Sequence, residues 1–350
     1  MKIQCPHCQK RYRIKDEKLP VGKSIQIPCP SCKGTIVLDL TRPDRQGRQT
    51  IPAPGGPATD MPAAAAADEA GRLESELLLQ WEELPPMLEV LVKIRQILQN
   101  PDASLKKVAQ VVETDPGIAA RILKIANSAF YGLSGNVSSV QHAAVVLGFQ
   151  TLEDVVTMAS TSDFLGKKLD GYGIGAGDLW RHALTVAIGT RKLVLSKDPK
   201  LENDAFSAGL FHDLGKIMLD PFIRENQVEL QRRIEEGGRP WVTAEREVLG
   251  FDHAHLTASL CENWNFPPAQ SQAIRYHHYP ARSQANLLSY ALHVVDALSA
   301  MHISPAEGTG AAPPLEEGAL DFLGIELAGL TEMMEEVAVS VDQITGEMGA

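Results

Sequence analysis

What this chain has little of narrows it first. Aromatic residues make up 5% of its 350 positions, too few for the cross-strand pairs of an extensive sheet, whereas Ala, Leu, Val and Ile abound and favour helices. No run approaches the ~20 apolar residues needed to cross a bilayer, and Met1-Lys2-Ile3-Gln4-Cys5 lacks the apolar segment of a signal peptide. Both absences lead to the expectation of a cytoplasmic protein. A glycine-rich nucleotide loop, a nucleophile elbow and a heptad run are all missing, so neither a P-loop enzyme, nor a serine hydrolase, nor a coiled coil is indicated.

Cysteine is scarce too, five residues in all, yet four of them fall within the first 32 positions as two pairs. Cys5-Pro6-His7-Cys8 and Cys29-Pro30-Ser31-Cys32 are Cys-x-x-Cys motifs separated by twenty residues. In a cytosolic chain that spacing reads as metal binding rather than as disulfides, with Cys5, Cys8, Cys29 and Cys32 completing a closed tetrahedral zinc site. His7 is a bystander, since four thiolates already fill the shell. Between and after the pairs, Lys10-Arg11-Tyr12-Arg13-Ile14, Lys23-Ser24-Ile25-Gln26-Ile27 and Thr35-Ile36-Val37-Leu38 alternate as short strands do, so residues 1–40 are expected to form a small β zinc ribbon. The segment resembles the zinc-ribbon domains found at the front of bacterial regulatory and membrane-associated proteins.

Charge is divided as unevenly as cysteine. The net charge is -11, but residues 1–50 carry eleven Lys/Arg against four Asp/Glu. Contact with nucleic acid is therefore expected only through this basic N-terminal region, because the acidic remainder repels a polyanion. Residues 41–72, rich in Pro, Gly and Ala, cannot bury enough apolar surface to offset ordering and read as a flexible linker.

Residues 73–305 read as helical. Leu88, Leu91, Ile94, Ile97 and Leu98 recur at helical spacing after Leu84-Pro85-Pro86-Met87; Ser104 and Asp115-Pro116 mark two further helix starts, and Gly148 a stop. The two short helices around Asp115 are spaced like a DNA-reading pair, but the second offers only Arg121, Lys124 and Asn127 among apolar residues and reads as a core helix. Residues 306–350 form a C-terminal extension in which Thr331 to Val341 is an acidic amphipathic helix.

Within the body, Gly209-Leu210-Phe211-His212-Asp213-Leu214-Gly215-Lys216 places a histidine and an aspartate side by side in an apolar helical run. A buried carboxylate without a partner costs several kcal/mol or takes up a proton. A divalent cation is one compensation, and hydrogen bonds from histidines in a polar core are the other.

Several motifs then recur in one order. Asp115-Pro116-Gly117, Ile122-Leu123-Lys124-Ile125-Ala126-Asn127-Ser128, Leu147-Gly148, Trp180-Arg181-His182, the His212-Asp213 pair, Leu249-Gly250-Phe251-Asp252-His253, Asn263-Trp264-Asn265-Phe266-Pro267 and Tyr276-His277-His278-Tyr279-Pro280 together resemble an HDOD domain, a regulatory relative of the HD phosphohydrolases, over roughly Leu84 to Ala300. The resemblance implies a mainly all-α, HD-like fold. It also implies a possible metal set at His182, His212, Asp213 and Asp296, with His253, His277 and His278 as accessory or second-metal ligands and Fe, Mn, Mg or Ni as the ion. Lys216 lies where it would meet a phosphate or Asp213.

The implied function is that of a bacterial signal-transduction protein whose body binds signalling proteins or a nucleotide without turnover, the ribbon supplying partner choice or localisation. The alternative is a metal-dependent phosphohydrolase. After His277-His278 the chain reads Tyr279-Pro280-Ala281-Arg282, which departs from the signature of the cyclic-di-GMP-cleaving HD-GYP branch. His142, His255, His293 and His302 read as surface or packing residues.

Overall fold

The computed structural model describes residues 2–4, 11–13, 24–28 and 35–39, and residues 63–348 apart from 82–89, 91–92, 95, 98–103, 134–135, 238 and 303–313. The chain divides into two units, residues 1–60 and 61–350.

In the first unit, β1 (Lys2–Gln4) pairs antiparallel with β2 (Arg11–Arg13), and β3 (Ser24–Pro28) with β4 (Thr35–Asp39). The registers are Ile3 opposite Tyr12 and Gln26 opposite Val37. β1 has no counterpart in the alternation read from the sequence. Cys5 and Cys8 fall between β1 and β2, and Cys29 and Cys32 between β3 and β4. All four cysteines lie outside the described residues.

The second unit is helical. α1 (Ala63–Gln80) begins inside the stretch read as linker, because the alanine run from Ala63 has the highest helix propensity of any residue type. Leu77 is its buried anchor; beyond it Ile94 is buried as its spacing indicated, and Val90, which lies outside that spacing, is buried too. α2 (Leu105–Val112) starts at Ser104, whose side chain makes no capping bond. α3 (Pro116–Ala126) is capped by Asp115, which accepts from the backbone N–H groups of Gly117 and Ile118 at 2.9 and 3.0 Å. Its Ile118, Ile122 and Ile125 are fully buried, as expected of a core helix. α4 (Val140–Leu165) is broken at Gly148, whose φ of 76° is a left-handed value that glycine alone adopts freely.

Then follow α5 (Asp178–Leu195), α6 (Glu202–Phe211), α7 (Leu214–Glu225), α8 (Gln227–Gly237), α9 (Trp241–Leu249), α10 (His253–Asn263), α11 (Pro268–Arg275), α12 (Leu287–His302), α13 (Ala319–Leu323) and α14 (Leu327–Met348). α5 is central, packed on α6, α12 and α14. α14 belongs to this core. Leu330, Met334, Val337, Val341 and Ile344 are buried, and Lys192 of α5 pairs with Glu336 at 2.6 Å. Among the described residues, no helix is long and apolar enough to cross a membrane.

Candidate metal centre

His212 and Asp213 do not lie inside one helix, as the apolar run led us to expect. They occupy the break between α6 and α7. Two glycines make this break fit. A Cβ on Gly209 would stand 2.5 Å from the Ala187 Cα of α5, and one on Gly215 would stand 2.3 Å from the His253 carbonyl oxygen of α10. Only glycine permits such approaches, and they carry His212 against α5 and Asp213 against α10. Thr257 stitches the second contact: its Oγ1 accepts from the Gly215 N–H at 2.8 Å and donates to the His253 carbonyl at 2.7 Å.

Five segments meet there. α5 supplies His182, the α6–α7 break His212 and Asp213, α10 His253, the turn after α11 His277 and His278, and α12 Asp296. His212, Asp213, His253 and His277 are at most 1% exposed, Asp296 5% and His182 8%. His182 Nε2 lies 3.1 Å from Asp296 Oδ1, 3.2 Å from His212 Nε2 and 3.4 Å from Asp213 Oδ2. His253 Nε2 lies 2.9 Å from His278 Nε2 and 3.3 Å from Asp213 Oδ1. Donor atoms of His182, His212 and Asp213, of His212, His277 and Asp296, and of His253, His277 and His278 form three clusters, each within 4.8 Å. The clusters share members, so the arrangement is one enclosed centre with room for more than one ligand set.

Proton placement follows from partners that can only accept. The Nδ1–H of His212 donates to the Gly209 carbonyl, that of His277 to the Ile274 carbonyl and that of His253 to Glu245 Oε2, each at 2.7 Å. In the neutral ring the Nε2 lone pair of each is then turned into the centre, in the manner of metal-ligating histidines held by their other nitrogen. His182 is held from behind by Ser299, with Nδ1 to Oγ 3.0 Å. Asp213 Oδ1, His277 Nε2 and His278 Nδ1 are buried without a hydrogen-bond partner. Leaving these three atoms without a partner in the interior is costly, and a divalent cation would satisfy them. The mixture of imidazole nitrogens and carboxylates suits Fe, Mn or Ni better than Mg, which prefers oxygen alone.

Burial pushes both carboxylates up. Nevertheless His212 and Lys216 around Asp213, and His182 and His212 around Asp296, hold them well below the usual carboxylate range. Burial pushes His212 down, but Asp213 and Asp296 raise it to about 10. Burial and the neighbouring His212 lower His277 to about 3, and burial with His277 and His253 lowers His278 well below the ordinary value. These last two rings keep their lone pairs. Lys216 Nζ contacts Asp213 Oδ2 at 2.6 Å and keeps its charge despite burial.

The fold thus brings together His182, His212, Asp213, His253, His277, His278 and Asp296, the set that the resemblance implied, with Lys216 beside Asp213. It adds some that the sequence did not mark. Glu245 is fully buried and accepts from the His253 backbone N–H and ring and from the Tyr172 hydroxyl, at 2.8, 2.7 and 2.9 Å. His293, read as a packing residue, donates from Nδ1 to the His277 carbonyl at 2.8 Å and accepts the Glu316 N–H on Nε2 at 2.8 Å. Ser299 and Glu245 carried no signal, because one serine in an apolar helix and one glutamate among Glu245-Arg246-Glu247 look like their neighbours.

Fold and donor set define a helical protein built around an enclosed histidine and aspartate centre. The HDOD domain profile matches residues 84–280, more than half of the chain, and the chain belongs to the HDOD family. A zinc-ribbon domain profile matches residues 1–37. A solved structure from Marinobacter aquaeolei VT8, provisionally described as a signal transduction protein, is similar at 26% identity and TM-score 0.61, covering 82% of this chain and 66% of that one. A provisionally described phosphohydrolase from Shewanella amazonensis SB2B shares the fold at 23% identity and TM-score 0.60, covering 77% and 97%. An uncharacterised protein of Treponema pallidum (strain Nichols) is 23% identical over 210 residues, which span 59% of this chain and 40% of that protein. The chain thus aligns with about two-fifths of that relative's length.

Proposed function

We propose that this chain is a regulatory protein whose HDOD body encloses a divalent-cation centre and acts as a binding module for a signalling protein or a nucleotide. Its ribbon holds zinc on Cys5, Cys8, Cys29 and Cys32 and supplies partner choice or localisation. The observation that carries this reading is the burial of the donor set. His212, Asp213, His253 and His277 are at most 1% exposed, so a cation there would tie five chain segments together while offering a bulky phosphoester little access. The description of the Marinobacter relative as a signal transduction protein points the same way.

A second reading, hydrolysis of a phosphoester, is favoured by the completeness of the ligand set and by Lys216, whose ammonium flanks Asp213 at 2.6 Å. An ion bound there would activate water and neutralise charge on phosphate oxygens. In that case Lys216 would orient Asp213 and meet the phosphate.

Elemental analysis of protein purified without added metal tests the proposal. We expect about one zinc for the ribbon together with transition metal that disappears in Asp213→Ala. Zinc alone in both proteins would refute a metal-holding body. Phosphodiester hydrolysis that is lost in a folded Asp213→Ala would decide for the second reading.

A further inference from the structure

The helix that leads from the linker into the body is attached at one side of the candidate centre. Glu74 of α1 accepts from His255 Nε2 at 2.8 Å, and Ser259 Oγ lies 3.4 Å from the same carboxylate oxygen. On the other edge of the same ring, Arg275 Nη1 lies 2.7 Å from His255 Nδ1. A guanidinium can only donate, so Nδ1 is the acceptor and Nε2 carries the hydrogen given to Glu74. Arg275 also holds Glu262 of α10 through Nη2, at 3.0 Å to each carboxylate oxygen.

The positions of these residues in the chain matter. His255 stands two residues after His253 on α10, and Arg275 two residues before His277 at the end of α11. A step of two residues turns a helix by about 200°, so His253 and His255 face opposite ways. The two ligand-bearing segments are therefore joined twice. On the inner side, His253 meets His278 at 2.9 Å. On the outer side, His255 meets Arg275, and there Glu74 completes the junction.

α1 itself is lightly seated. Leu77 is buried and the Trp264 Nε1–H donates to the Trp81 carbonyl at 3.3 Å, but Leu79 is exposed. A cavity of about 850 Å3 runs along the helix, lined by Leu73, Phe222, Leu249 and Phe251 among others. Such a partly packed element opens at lower free energy than the core.

We infer that α1 is a latch on the centre: its docking through Glu74 positions the α10 and α11 segments that present His253, His277 and His278, and occupancy of the centre in turn tightens the docking of α1. The inference rests on the metal-holding reading above. Coupling of this kind is reciprocal, so the same factor links both events. Glu74, His255 and Arg275 are positioning residues here, since none of them reaches the centre.

The test uses the full chain with its ribbon zinc retained and Mn2+ as the probe. Binding is followed by the loss of the free Mn2+ electron paramagnetic resonance signal, and α1 by amide hydrogen exchange across residues 68–80. Mn2+ is expected to slow exchange in that segment of the wild type, and Glu74→Ala to weaken Mn2+ binding about 5-fold or more while the far-ultraviolet dichroism stays helical. Mn2+ that binds wild type and Glu74→Ala equally, with exchange at 68–80 unchanged, would overturn the latch and leave the metal reading standing. No Mn2+ binding to the body at all would overturn both. The wild-type exchange measurement needs no variant and stays decisive if Glu74→Ala does not fold.

Discussion

Gly215 shows how much one missing side chain arranges. With an added Cβ 2.3 Å from the His253 carbonyl oxygen, the obstacle is backbone and cannot rotate away. Gly215→Ala is expected to destabilise the body by roughly 1–3 kcal/mol through overpacking and to lower metal content together with stability, read by urea denaturation and elemental analysis. Glu245 acts at one remove. Glu245→Ala leaves the His253 ring, the His253 N–H and the Tyr172 hydroxyl without their acceptor. Metal affinity is expected to fall by about 10–100-fold, as for other carboxylates behind ligating histidines. Glu245→Gln retains an acceptor oxygen and should lose less. Equal affinity in the wild type and Glu245→Ala would show that His253 is not a ligand. His212 and Asp213 stood out because a carboxylate in an apolar run needs a partner, and Asp296 entered through the family resemblance. Glu245, Ser299 and His293 did neither, because what distinguishes them is whom they touch.

α5 and α14 show what the elements contribute. α14 lies on the helix that presents His182, and the residue beside that histidine, Arg181, pairs with Asp342 and reaches Thr345 Oγ1 at 3.3 Å. The C-terminal helix is thus part of the wall behind the centre. Val337 is fully buried. Val337→Ala should cost about 1–3 kcal/mol, since truncating a core side chain loses both its transfer energy and the contacts around the cavity it leaves. Thermal unfolding measures this. Unchanged stability would mean that α14 is dispensable to the body. The amphipathic period from Thr331 to Val341 was readable from the sequence as a helix with one apolar face. Which helix would cover that face was not, since any apolar stripe would serve. The break at His212-Asp213 was hidden for a similar reason: Gly209 to Lys216 is compatible with continuous helix, and only the tight seats against α5 and α10 separate α6 from α7.

The molecule as a whole comprises two units with different sources of stability. A module the size of the ribbon has little core without its metal, whereas the body has a continuous apolar interior from Leu77 to Ile344. Cys5→Ser is therefore expected to remove about one zinc per chain and to leave the principal thermal transition of the body where it is in the wild type. A body transition that moved with the ribbon would show that the two units fold together. The sequence by itself determined the class of each unit: paired Cys-x-x-Cys motifs mark a zinc-ribbon domain, and helical periods with little aromatic content produce an all-α body. It also marked Asp213 as a side chain in need of a partner, because an unpaired buried charge is costly. Tertiary structure alone decided that His182, His212, Asp213, His253, His277, His278 and Asp296 converge, which nitrogen of each fixed ring faces inward, and that Glu74 and Glu245 stand behind them. Those are properties of distance between segments far apart along the chain, and distance in space enters only when the helices pack.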